Sequence, residues 1–131
     1  MTRPDCDQAS RFMKTTKYIL TLVYGIFLIF GSVNHFIKPE MYYPFIPDFM
    51  PQQMINFMAG MIEVVLGLGI FILRFRHLAA TGILLLMLIF LPLHLWDVFR
   101  ENPAIGNHTA ALVRLPVQFL LIGWAWFISR K

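Results

Sequence analysis

Four stretches of this chain are each long and apolar enough to cross a lipid bilayer as a helix, and they leave almost nothing over. They run approximately from Lys17 to Phe36, from Gln53 to Leu73, from His77 to Phe99 and from Ala110 to Ile128. Crossing takes about 20 mostly apolar residues, because in hydrocarbon every backbone N–H and C=O must find its partner inside the segment. Apolar residues make up 58% of the 131, more than an ordinary soluble domain of this size carries. The expected fold is all-α: a four-helix transmembrane bundle over residues 17–131, running up-down-up-down, behind an N-terminal tail of residues 1–16. No room remains for a separate soluble domain.

The charges report orientation. A net charge of +4 invites a nucleic-acid reading, but the basic residues sit dispersed at the ends of apolar segments, so no nucleic-acid partner is expected. Arg3, Arg11, Lys14 and Lys17 precede the first span, Arg74 and Arg76 separate the second from the third, and Arg130 with Lys131 ends the chain. The opposite side holds Lys38, Arg100 and Arg114 together with Glu40, Asp48, Asp97 and Glu101. The positive-inside rule then places both termini and the Arg74–His77 turn in the cytoplasm. The polar residues ahead of a full-length first span, with no small-residue cleavage site, mark that span as retained rather than as a cleaved signal. Cys6 is the single cysteine, so the chain holds no dithiol pair of its own.

Between the first two spans, IKPEMYYPFIPDFMPQ interleaves four prolines with Tyr42, Tyr43, Phe45 and Phe49. That proline density forbids a long helix, and the aromatics suit the water–lipid boundary. The expected result is an ordered cap on the outer face. In the second span, Asn56, Gly60, Glu63 and Gly67 recur at spacings of four, three and four, which puts them on one helix face. The two glycines on that face are expected to leave space beside the carboxylate. In the third span Pro92 frees the Leu88 carbonyl and predicts a kink, and His94 and Asp97 stand three apart, near enough to touch. Asn107 or Thr109 is placed to cap the fourth helix.

If odd spans run outward and even spans inward, the polar residues fall in the outer half of the membrane. Asn34, His35, Asn56, His94, Asp97, Arg114 and Gln118 lie there, with Glu63 deepest. Such groups are costly against lipid and should converge on the bundle interior or a recess. Two readings stand for each. The amides of Asn34, Asn56 and Gln118 serve as interhelical glue or as ligand contacts. Arg114 snorkels to the interface or pairs with Glu63 or Asp97. His35 and His94 are satisfied polar residues or parts of a proton relay. Glu63 is protonated or paired, either in a register-fixing ion pair with Arg114 or as a protonatable group lining the recess. No phosphate loop, no paired metal-binding histidine signature and no fixed-period repeat appears, and no metal site is expected.

The order of these segments carries a resemblance. NHFIKPEMYYPFIPDFMP ends the first span, NFMAGMIEVVLGLGIF fills the second and RFRHLAATGILLLM opens the third, with Pro92–His94 late in the third and RLPVQFLLIGWAW in the fourth. This resembles the DoxX family of small bacterial membrane proteins over nearly all the chain beyond the tail. The resemblance implies a four-span protein of the bacterial inner membrane, and a family whose name comes from subunits of a quinone-linked oxidoreductase. With the recess, it leads to an expected binding or accessory subunit. That subunit takes a lipophilic small molecule such as a quinone or lipid, or docks onto a membrane or redox protein complex, within the lipid bilayer. The alternatives are a quinone-linked oxidoreductase component working through Glu63 and His94, and a small transporter.

Overall fold

The computed structural model describes residues 4–131, and among these the chain is all-helical. Four long helices carry it: α1 (Pro4–Ile37), α2 (Gln52–Phe71), α3 (Arg76–Phe99) and α4 (His108–Ser129). Each contains a segment long and apolar enough to cross a membrane. The connector between α1 and α2 forms two short 3₁₀ turns, Pro39–Met41 and Tyr43–Phe45. Helix ends fall within about two residues of the expected spans except at the start, where α1 begins at Pro4 and makes a helix of most of the tail. The cause is local: proline suits the first helical turn, Asp5 and Asp7 sit there against the positive end of the helix dipole, and no glycine or proline follows until Gly25. Arg3, counted with the basic residues of the tail, lies outside the described residues.

Side chains close the end of α2 and the start of α4. Arg76 Nε donates to the Ile70 carbonyl at 2.8 Å, satisfying a last-turn acceptor of α2. At the head of α4, Asn107 Oδ1 accepts from the Ala110 N–H at 3.0 Å. Just before it, Gly106 has φ +77°, a left-handed conformation that a side chain would strain. Both α3 and α4 continue as helix through an internal proline, Pro92 and Pro116.

The helices pack as two hairpins, α1 along α2 and α3 along α4, with sparser contact between the pairs. In the first hairpin Gly25 meets Ile70, Gly67 meets Ile29 and Gly60 meets His35, so contact partners run in opposite senses along the two helices. Small residues permit this approach. The close-packed core lies in the half nearest the Leu73–Phe75 turn and the chain ends, built on Tyr24, Ile70, Ala80, Ile83 and Ala125. There Tyr24 joins the hairpins: it is fully buried, its hydroxyl donates to the Leu121 carbonyl at 3.2 Å, and its ring meets the Trp124 ring edge-on. The opposite half, beneath the two longer connectors, holds the polar side chains.

Candidate functional site

Each hairpin closes its connector end with its own polar lock. In the first, helical spacing brings Asn56 of α2 opposite His35 near the end of α1, and both are buried. Asn56 Nδ2 donates to the His35 backbone carbonyl at 2.8 Å, which turns Asn56 Oδ1 toward His35 Nδ1 at 2.6 Å. An amide oxygen accepts only, so Nδ1 carries a hydrogen. The other ring nitrogen, Nε2, faces Glu63 Oε1 at 3.5 Å. Tyr42 from the connector stacks on the His35 ring, with centroids 3.7 Å apart and planes 19° from parallel. Burial, and secondarily the Glu63 carboxyl, raises the Tyr42 phenol pKa above its ordinary value.

The second lock joins α3 to α4. Asp97, 1% exposed, accepts from Arg114 Nη2 at 2.7 Å and from the Ala104 N–H at 2.7 Å, while Arg100 stands 3.8 Å away. Arg100 also donates to the Pro44 carbonyl at 2.5 Å and Arg114 to the Ile105 carbonyl at 2.9 Å. Both connectors are thereby tied to the helices beneath them. The Arg114 guanidinium lies over the Phe45 ring.

Between the locks lies a cavity of about 360 Å³. Its walls are mainly apolar, and six of the eight residues singled out from the sequence border it: His35, Asn56, Glu63, His94, Arg114 and Gln118. Of the remaining two, Asp97 sits behind Arg114 as its anchor, and Asn34 is half-buried on α1 away from the cavity lining. Gln118 borders the space, but its amide donates to the Met87 carbonyl at 2.6 Å, one residue before the Leu88 carbonyl that Pro92 leaves without its helical donor.

The structure decides one pairing that the sequence left open and corrects two expectations. Of the two partners offered for Arg114 it takes Asp97 and not Glu63, because Asp97 on the adjacent α3 is within direct reach while Glu63 faces His35. His94 does not bond Asp97: the carboxylate is saturated by Arg114 and the Ala104 N–H, and His94 Nδ1 is buried without a partner. Gly60 and Gly67 leave no space beside the Glu63 carboxylate, since His35, Phe36 and Ile29 fill it. The open ground is instead at Gly31, where an added Cβ would meet only Glu63 Oε2, at 4.0 Å.

A family profile, described as a domain of unknown function, matches residues 24–129. The chain belongs to this family, DUF8561. No curated protein and no solved structure matches it. The DUF8561 match runs from Tyr24 to Ser129, so both locks and the whole cavity lining fall inside it, while the helical tail before Tyr24 lies outside.

Among the described residues of this DUF8561 chain, no three His, Cys, Asp or Glu side chains gather as a metal ion would need. Two participants escaped the sequence reading. Arg100 had a visible signal, standing three residues after Asp97 on one helical face. Tyr42 had none beyond its place among boundary aromatics, because stacking on His35 depends on how two 3₁₀ turns fold the connector back over α1.

Proposed function

We propose that the chain is a DoxX-like multi-pass protein of the bacterial inner membrane that works by binding: an accessory or binding subunit whose recess accepts a lipophilic small molecule. The observation that carries this is the cavity between the two hairpins, whose volume of about 360 Å³ falls in the range of small-molecule sites. Apolar walls with a few convergent polar groups are what such a ligand requires, and here Glu63 and His35 stand on one hairpin, His94 and Arg114 on the other. The membrane reading draws on the outer surface, where large apolar side chains such as Phe30, Leu73 and Leu120 are more than two-thirds exposed. In this reading the helices run up-down-up-down, with the termini and the Leu73–Phe75 turn in the cytoplasm and the recess facing outward. A second reading, a quinone-linked redox component, draws on the two titratable groups, His35 and Glu63, that face each other at the edge of the cavity.

Gly31→Leu tests the binding reading, because Gly31 borders the cavity and a Cβ there enters open space, with only Glu63 Oε2 nearby at 4.0 Å. Protein extracted into nanodiscs from its host membrane is expected to carry a lipophilic small molecule, seen by native mass spectrometry, and the Gly31→Leu protein to fold and lose it. Wild-type protein that carries none, or a filled variant that retains it, refutes the proposal. Orientation is checked separately by cysteine labelling in a Cys6→Ser background. Cysteines at Asp48 and Glu101 should react in intact cells and one at Arg74 only after permeabilisation; the reverse pattern would turn the recess to the cytoplasmic side.

A further inference from the structure

The charge around the recess is unequal at its two ends, and this defines the head group of a guest. At the α1–α2 end the Glu63 carboxyl stands 3.5 Å from the His35 ring, so that end offers no excess of positive charge. At the α3–α4 end one carboxylate, Asp97, faces two guanidiniums, Arg114 at 2.7 Å and Arg100 at 3.8 Å. One positive charge is left over there, with Arg114 on the cavity wall and Arg100 outside the lining, held by the Pro44 carbonyl. His94 adds a donor. Its Nδ1 is buried without a partner, and a sealed lone pair is better tolerated than a sealed N–H, so the ring hydrogen belongs on Nε2. His94 itself borders the cavity. A cation is disfavoured at such a site, and a neutral head leaves the excess charge uncompensated.

We propose that the recess takes a lipophilic carboxylate, with its apolar body against Phe27, Leu28 and Phe90 and its single anionic head at the His94 and Arg114 end. This rests on the binding reading above and adds the chemical class of the ligand. A charge-assisted hydrogen bond in a site of low polarity distinguishes this head from an uncharged one.

The test uses the full chain in nanodiscs of uncharged phosphatidylcholine and compares three guests of one chain length: decanoate, decanol and decyltrimethylammonium. A fourth, naphthoate, separates an acyl body from an aromatic one, and either carboxylate supports the proposal. Calorimetric titration is expected to show decanoate binding about tenfold more tightly than decanol, with the ammonium weakest. His94→Leu should reduce the carboxylate preference to near unity, and His94→Gln, which keeps a donor, should restore part of it. Decanol binding as tightly as decanoate, the ammonium binding best, or an undiminished preference in His94→Leu overturns the assignment of the head group. In each of those cases loss of all guest binding in Gly31→Leu still upholds the recess as a binding site. If no guest binds the wild type, and Gly31→Leu is indistinguishable from it, the binding reading falls as well.

Discussion

Asp97→Leu is expected to destabilise the folded bundle by about 3–5 kcal/mol, because it removes one member of a buried ion pair and leaves the other without its counter-charge. The Asp97 carboxylate is 1% exposed and holds three elements at once: Arg114 of α4, the Ala104 N–H in the connector, and Arg100, which reaches on to the Pro44 carbonyl. Its loss strands the Arg114 guanidinium, whose Nε already has no partner. Unfolding by titration with a denaturing detergent measures the change. Replacing both members, Asp97→Leu with Arg114→Leu, should recover much of the loss, since removing a whole buried pair is close to neutral. A double variant as unstable as the single one would show that the pair is not what joins α3 to α4.

The second large effect is expected at Gly67. A Cβ there would lie 2.7 Å from Ile29 Cγ1 and 3.3 Å from the Gly25 carbonyl oxygen, and a backbone atom cannot turn aside as a side chain can. Gly67→Ala should therefore push α2 off α1 and lower stability by about 1–3 kcal/mol, the usual range for overpacking. Gly123→Ala is the control. Nothing lies within 4 Å of a Cβ at Gly123, so the same methyl group should leave stability within about 0.5 kcal/mol of wild type. The detergent titration decides between them, and equal effects at the two glycines would remove close helix approach as the explanation.

These two positions show how differently the sequence reads at different levels. Gly67 was recognisable as part of a buried stripe because Asn56, Gly60, Glu63 and Gly67 repeat with the helical period, and all four are buried. What the stripe meets was not recognisable. It suggested room at Gly60 and Gly67, yet α1 presents Ile29, His35 and Phe36 to those glycines, and the room beside Glu63 lies instead at Gly31 of α1. Asp97 was likewise identifiable as a costly polar group, but the sequence left both His94 and Arg114 open as its neighbour, and the chain pairs it with Arg114, seventeen residues on in another helix.

The sequence by itself determined the four long apolar helices, their boundaries to within about two residues except at the start of α1, two candidate caps at the head of α4 and the interior position of all but one of the polar residues it singled out. All of these follow from local rules: the length of apolar runs, the helical period, the placement of proline, and the penalty for polar groups facing an apolar exterior. The tertiary structure alone decided the partners: Glu63 with His35, Asp97 with Arg114 among the neighbours the sequence left open, Tyr42 against the His35 ring, and a cavity between two hairpins whose close-packed core lies at their other end. The reason is geometric. A helix face can be read along one segment, but which faces meet, and at what depth, depends on how small residues such as Gly25, Gly67 and Ala80 let whole helices approach, and no single segment carries that information.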